Sequence, residues 1–294
     1  MRSGRGARCF AVLGAAAAAV GLGACGAAAT VPGSALVPGH VAPGDHTVYV
    51  TVGAMRRSLV LFVPPLPAAP GRPLILVYHG ANDTASGTES STDLRGVADR
   101  TGELVAFLQG YGNAWNEGAG HTPAERANVD DVAFTTAAIR RIESLVAFDH
   151  ARIAAVGFSN GALMAEYLGC RLAGTLAAII PVEGQLPVAV ARTCLPSMPV
   201  GVYEVHGTAD ASIPYGGGHF NGIGGGTTVL SAPRSAAVWA HLDGCAAPRR
   251  TRAPSRGVRL TVYAGCRGSR TVVLRTVLGG AHQWPPDILS LIHI

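Results

Sequence analysis

One serine stands where an acyl-transfer nucleophile would be built. Gly157-Phe158-Ser159-Asn160-Gly161 is the only G-x-S-x-G in the chain. With 39 glycines in 294 residues the spelling alone carries little, so its context has to carry the reading. An apolar run, Ile153–Gly157, precedes the serine and a helix-forming stretch from Ala162 follows it. That is a strand–nucleophile–helix arrangement: the glycines permit the sharp turn and the helix start offers backbone N–H groups beside the hydroxyl. A serine at its ordinary pKa is a weak nucleophile and needs a histidine base held by an acid.

In this strand order the acid and then the histidine follow the serine, each after a later strand. Asp210 lies just past the run Val200–Val205, in His206-Gly207-Thr208-Ala209-Asp210. His282 lies just past Thr271–Val277, in Gly280-Ala281-His282-Gln283-Trp284-Pro285. His206, His219 and His241 compete less well for the base, and Glu204 and Asp243 less well for the acid, because none stands in a loop after the appropriate strand. An oxyanion hole needs two backbone donors. The residue after the nucleophile, Asn160, supplies one; the turn His79-Gly80-Ala81 after the run Leu74–Tyr78 supplies the other through Ala81 N–H.

The elements that position these groups follow from patterning. Thr47–Val52 and Ser58–Val63 flank a turn at Gly53 and read as a β-hairpin. Continuous apolar runs at Leu74–Tyr78, Leu104–Leu108, Ile153–Gly157 and Ala177–Val182 suit strands covered on both faces of a parallel sheet. Helices are expected over Asp93–Thr101, Asp130 to about Phe148, Ala162–Leu172 and Ser235–Leu242, with Asp130 and Asp131 as helix-opening residues. Residues 110–128 read as a long polar loop, Gly216–Gly226 as a flexible glycine-rich loop, and Val258–Tyr263 and Thr271–Val277 as further strands. Alternating strands and helices predict one α/β domain over residues 44–294, with a mostly parallel central sheet, an N-terminal β-hairpin and helices on both faces.

Composition narrows the function. The chain is 48% apolar and 14% charged, which excludes a disordered chain. All 23 basic residues are arginine, so Schiff-base and Walker-lysine chemistries are excluded. Arg2, Arg5 and Arg8 precede the first carboxylate, Asp45, and hold most of the net charge of +5. No nucleic-acid surface is expected. Those arginines, the apolar stretch Cys9–Gly23 and Leu22-Gly23-Ala24-Cys25 have the layout of a signal peptide over 1–24. The ending resembles a bacterial lipobox, with lipidation at Cys25; an ordinary signal peptide with an incidental cysteine is the other reading. The proline-, alanine- and glycine-rich residues 26–43 read as a tether. Export places Cys170, Cys194, Cys245 and Cys266 in an oxidising compartment. Of three connectivities, Cys170–Cys194 with Cys245–Cys266 is preferred, crossing pairs remaining open. No C-x-x-C pair or H-E-x-x-H occurs, so no metal site is expected.

His79-Gly80, Trp115-Asn116, Val129-Asp130-Asp131-Val132, the Ser159 pentapeptide, His206-Gly-Thr-Ala-Asp210 and His282-Gln-Trp-Pro stand in an order that resembles secreted polyhydroxybutyrate-depolymerase-like and feruloyl-esterase-like α/β-hydrolases of bacterial lipoprotein type. The resemblance spans roughly residues 45–286. It implies Ser159 as nucleophile, His282 as general base and acid, Asp210 as its orienting acid, and ester hydrolysis through an acyl-enzyme with no cofactor. Trp115 and Trp284 are candidate walls of an acyl pocket or, equally, core residues. Two departures stand out. Glu117 replaces the alanine of Trp-Asn-Ala-Gly, and the chain ends at Ile294, short of the closing helix the resemblance implies. The expectation is an exported, extracellular serine esterase. Its substrate would be a polyhydroxyalkanoate, feruloyl or acetyl-polysaccharide ester, polymeric or small, and it would act as a monomer that meets the membrane only through a lipid anchor. The competing expectation is a surface-anchored, catalytically silent binding protein on the same scaffold.

Overall fold

The computed structural model describes residues 41–66, 71–120, 122–251 and 256–285. The expected leader over 1–24, Cys25, nearly all of the tether over 26–43 and the closing residues from Pro286 onward lie outside them.

Strand β1 (Gly44–Val52) pairs antiparallel with β2 (Met55–Val63) as the expected hairpin. Then follow β3 (Leu74–Tyr78), α1 (Ala85–Ser91), α2 (Leu94–Thr101) and β4 (Leu104–Leu108). After them come α3 (Pro123–Arg126), α4 (Asp131–Glu143), β5 (Ile153–Phe158), α5 (Asn160–Arg171), β6 (Ala178–Val182) and α6 (Val188–Ala191). The described chain continues through β7 (Gly201–Gly207), β8 (Gly218–Gly222), β9 (Gly225–Val229), α7 (Ala232–Leu242), β10 (Arg249–Thr251), β11 (Val258–Tyr263) and β12 (Val272–Val277).

The large sheet runs β1-β2-β4-β3-β5-β6-β7-β12-β11-β10. Its six central strands, β4 to β12 in that order, are parallel, and antiparallel strands flank them on both edges. The continuous apolar runs are explained by burial on both faces. Leu74, Leu76 and Tyr78 of β3 face one core with Phe134, Met164 and Trp239 from α4, α5 and α7. Ile75 and Val77 face the other, with Ala85, Leu94 and Ala98 from α1 and α2. The period of two thus feeds two helical layers from each strand.

Several local expectations change, among them the end of α4, which stops at Glu143 rather than near Phe148. An unexpected α1 precedes the expected helix, started by Thr84, whose side chain accepts from Gly87 N–H. Within residues 110–128, α3 forms on a capping box between Thr122 and Glu125 with proline in the first turn. The segment Gly216–Gly226 is not a flexible loop: it forms most of the β8–β9 hairpin, which pairs Gly218 with Val229 and Gly222 with Gly225. Gly224, at φ +80, lets the chain reverse there.

Disulfides join Cys170 to Cys194 and Cys245 to Cys266. The first ties α5 to the segment before β7, and the second ties the end of α7 to the approach to β12. The two short loops are the pairing the spacing favoured.

Candidate active site

Where β5 turns into α5, Ser159 takes φ +55 and ψ −120. Such a backbone costs a non-glycine residue on the order of 1–3 kcal/mol and persists only where its surroundings enforce it. Here the enforcement is visible. Ser159 N–H donates to Val182 O at 2.9 Å. A Cβ on Gly157 would collide with the Gly161 carbonyl, and one on Gly161 with the Tyr78 carbonyl, so both flanking positions admit only glycine.

His282 reaches the serine from the loop after β12. Its Nε2 lies 2.9 Å from Ser159 Oγ and its Nδ1 lies 2.7 Å from Asp210 Oδ2. The tautomer that satisfies both contacts carries its proton on Nδ1, which donates to Asp210, while Nε2 accepts from the serine. Asp210 is held in turn. Its Oδ1 accepts Ser212 N–H at 2.7 Å and Ile213 N–H at 2.9 Å. Burial pushes the Asp210 carboxyl up. Hydrogen bonds from His206, His282 and Ile213 N–H and the His282 charge outweigh burial and hold it well below the usual carboxylate range. Asp210 is therefore ionised, as an orienting acid must be.

The two expected oxyanion donors flank the serine. Asn160 is the first residue of α5, where the backbone N–H has no acceptor one turn earlier. The His79–Ala81 turn runs alongside: a Cβ on Gly80 would sit 3.6 Å from Ser159 Cβ. That turn is pinned by His79, whose Nδ1 donates to Gly80 O at 2.7 Å and whose Nε2 accepts Gly110 N–H at 2.9 Å. Burial lowers the His79 pKa, which keeps the ring neutral in this bridging role.

No family model matches the chain. It is 33% identical over 234 residues to feruloyl esterase B of Piromyces equi, which covers 77% of this chain and 42% of that protein. It is 30% identical over 250 residues to a protein of Nocardia uniformis subsp. tsuyamanensis named as an esterase, NocK, across 80% of this chain and 72% of that one. The chain belongs to the feruloyl-esterase-like α/β-hydrolases. It spans less than half the length of the Piromyces relative. Among solved structures, an acetyl xylan esterase from Aspergillus awamori superposes with a TM-score of 0.56 at 15% identity, over 82% of this chain and 95% of that one. Est1E from Butyrivibrio proteoclasticus superposes with a TM-score of 0.51 at 13% identity, over 84% and 95%. Both share the fold.

Within this esterase scaffold the two tryptophans separate. Trp115 is fully buried: it packs edge-on against Tyr78 at 5.0 Å and its indole N–H donates to His79 O at 2.8 Å. It belongs to the core because the indole N–H finds its partner there. Trp284 stays half-buried and stacks on Phe158 at 5.2 Å, and Phe158 in turn lies 4.9 Å from the His282 ring. Asp130 opens α4 as expected, its side chain accepting from Ala133 N–H. Asp131 does more than open it: buried, it pairs with Arg57 at 2.7 Å and accepts Asn116 N–H at 2.8 Å.

Two residues beside the acid went unsingled for this place. His206 Nε2 lies 3.3 Å from Asp210 Oδ2 and 2.9 Å from Ile213 O. Glu183, just past β6, takes both oxygens to Gly207 N–H at 3.1 and 2.9 Å. Among the described residues Glu183, His206 and Asp210 form one compact three-ligand group, all buried. Its histidine nitrogen is committed to the Ile213 carbonyl, which it can reach only as a donor, and that does not fit a metal ligand. The signal in sequence was a glutamate, in Val182-Glu183-Gly184, ending an apolar run on the strand that neighbours β7.

Proposed function

We propose that the chain is an exported serine esterase that cleaves carboxylic esters through an acyl-enzyme, with Ser159 as nucleophile, His282 as base and then acid, and Asp210 as the orienting acid. The observation that carries this reading is the unbroken relay from Ser159 Oγ to His282 at 2.9 Å and from His282 to Asp210 at 2.7 Å. In acylation Oγ attacks the ester carbonyl while His282 Nε2 takes its proton, and the negative charge on the tetrahedral oxygen is met by the Asn160 and Ala81 N–H groups. His282 then protonates the leaving alkoxide. Water, deprotonated by the same nitrogen, attacks the acyl group; the bond to Ser159 Oγ breaks, His282 returns the proton to Oγ, and the acid leaves. The ionised Asp210 stabilises the imidazolium formed in both halves. No step calls for a metal or organic cofactor.

Relatives named feruloyl esterase and acetylxylan esterase point to hydroxycinnamoyl or acetyl esters on plant polysaccharide as the substrate class. Trp284 and Phe158, stacked beside the catalytic histidine, offer an aromatic wall to an aryl acyl group. The two disulfides are consistent with a protein working outside the cell. A lipid anchor at Cys25 remains part of the same proposal.

An active-site fluorophosphonate tests the mechanism and a panel of aryl, acetyl and hydroxybutyrate esters tests the substrate class. Covalent labelling mapped to Ser159 and turnover of aryl or acetyl esters are expected. A chain that binds such esters without labelling or turnover is the silent binding protein instead.

A further inference from the structure

Glu183 stands behind the catalytic acid in an arrangement that the reaction as written does not use. It leaves β6 with φ +50, a left-handed conformation that glutamate rarely adopts. The next residue is wedged: a Cβ on Gly184 would come 2.8 Å from Ser159 O and 2.8 Å from Ala162 Cβ. The strained turn therefore touches the nucleophile elbow on one side. On the other it sends a buried carboxyl to Gly207 N–H, at the end of the strand that leads to Asp210. Carboxyl oxygens of Glu183 and Asp210 lie within 4.8 Å of one another in a buried group, where two negative charges side by side are strongly disfavoured. One of them holds a proton. Asp210 is the ionised member, so the proton sits on Glu183.

We propose that Glu183 is a positioning residue for ester hydrolysis: protonated, it donates to Asp210 while accepting Gly207 N–H, and so fixes the carboxylate that orients His282. This rests on the reading of Ser159, His282 and Asp210 as the catalytic relay. The titratable groups facing Glu183 are His206 from β7 and Asp210 from the loop after it, with His282 beyond Asp210. β5 and the first turn of α5 contribute none. His206 splits its one Nε2 proton between the Ile213 carbonyl at 2.9 Å and Asp210 Oδ2 at 3.3 Å, so it meets Asp210 only through the longer contact.

The pH consequence has a definite sign. Burial pushes the Glu183 carboxyl up to about 8, with Asp210 adding to the rise and the Gly207 N–H opposing it. Below that pH Glu183 is a neutral donor and Asp210 stays in place. Above it a second negative charge appears beside Asp210, Glu183 has no proton left to donate, and the acid is driven from Nδ1 of His282.

The test compares kcat and KM of the wild type, Glu183→Gln, Glu183→Ala and Ser159→Ala on p-nitrophenyl acetate from about pH 5 to 10, with circular dichroism reporting the fold. Glutamine keeps a neutral donor and an acceptor that never titrate. It is expected to hold neutral-pH kcat within about 3-fold of wild type and to abolish the wild-type fall above about pH 8. Alanine should lose roughly 10–100-fold in kcat at neutral pH with KM within about 2-fold. Should alanine fail to fold, the glutamine profile decides alone. A glutamine variant with the wild-type alkaline fall, or one slowed more than 10-fold at neutral pH, overturns the proposal. Retained turnover in Ser159→Ala overturns the catalytic relay itself. An inactive Ser159→Ala beside a glutamine profile identical to wild type overturns only the role of Glu183.

Discussion

The side-chain oxygen of Asn160 accepts the backbone N–H of Trp115 at 2.9 Å, across 45 residues of sequence. Asn160 therefore serves twice: its own backbone N–H faces the site as an oxyanion donor in the proposed mechanism, and its side chain moors the loop whose tryptophan grips the His79 carbonyl. Both sides of the proposed oxyanion hole hang on this one contact. Asn160→Ala is expected to keep the backbone donor but loosen its partner, lowering kcat by about 10-fold or more with a smaller change in KM, because donors displaced by fractions of an ångström stabilise the developing charge less well. Steady-state kinetics on a single aryl ester reads the effect; unchanged kcat would detach the loop from the chemistry.

Removal of the relay members should be far more costly and nearly equivalent, since the three act as a unit. Ser159→Ala and His282→Ala are each expected to lower kcat by on the order of 10⁴-fold or more. Asp210→Asn should fall by about 10³–10⁴-fold, because an amide in its place favours the wrong imidazole tautomer. Near-wild-type turnover by any of the three on a good substrate would break the assignment.

What the chain reveals as a string, and what it hides, divides along the sheet. The convergence of Ser159, Asp210 and His282 was legible because each follows its own strand at a motif with glycine, and strand order is a sequential property. Glu183 and His206 were not, because their partnership comes from β6 lying beside β7, and lateral adjacency leaves no spacing to read. For Trp115 the sequence left a pocket wall and a core residue equally open: an indole in a polar, glycine-rich stretch fits either until its N–H is found bonded to His79 O. The β8–β9 hairpin was missed for a different reason. Its residues, Gly-His-Phe-Asn-Gly and Gly-Gly-Thr-Thr-Val, lack the alternation of a half-buried strand, and tertiary packing of Phe220 and Val229 on Leu163 overrides their weak propensity.

The elbow glycines are a stability test as much as a catalytic one. At Gly161 an added methyl meets the carbonyl oxygens of Tyr78 and His79, backbone atoms that belong to a central strand and to the oxyanion turn. Neither can yield without moving β3. Gly161→Ala is thus expected to express as aggregated or strongly destabilised protein, by several kcal/mol. A soluble Gly161→Ala protein with wild-type melting temperature would show that the elbow is looser than its contacts imply.

The second disulfide reinforces segments already joined by Ala246 N–H to Ala264 O and Arg267 N–H to Asp243 O, each at 2.9 Å. Cys245 and Cys266 are separated by 21 residues, a loop closure worth roughly 3 kcal/mol in the chain-entropy picture. Replacing both by serine should lower unfolding free energy by about 2–4 kcal/mol while leaving kcat near wild type, because the bridge lies at the N-terminal approach to β12 rather than at the catalytic loop after it. Urea denaturation together with non-reducing peptide mapping checks the energy and the pairing.

Stability should also depend on pH through carboxyls that the catalytic reading does not involve. Glu166 on α5 is fully buried and accepts hydrogen bonds from the Trp239 indole N–H and the Ser235 hydroxyl on α7. Burial pushes Glu166 up to about 8, although both bonds pull it down. Glu204 on β7, equally buried, is also pushed well up by burial and by Glu166. A carboxyl whose value is raised in the folded state binds a proton that the unfolded chain has released. Its contribution is whole below the ordinary value of 4.5, and it is lost as the pH rises through about 8. The folded chain is therefore expected to lose stability progressively across that window. Glu166→Gln keeps an acceptor for the indole, keeps the volume and removes one titrating proton, so its urea midpoint should fall less steeply with pH than that of wild type. Two parallel stability curves would mean that Glu166 is already ionised in the fold and that its charge is matched by something other than the two α7 donors.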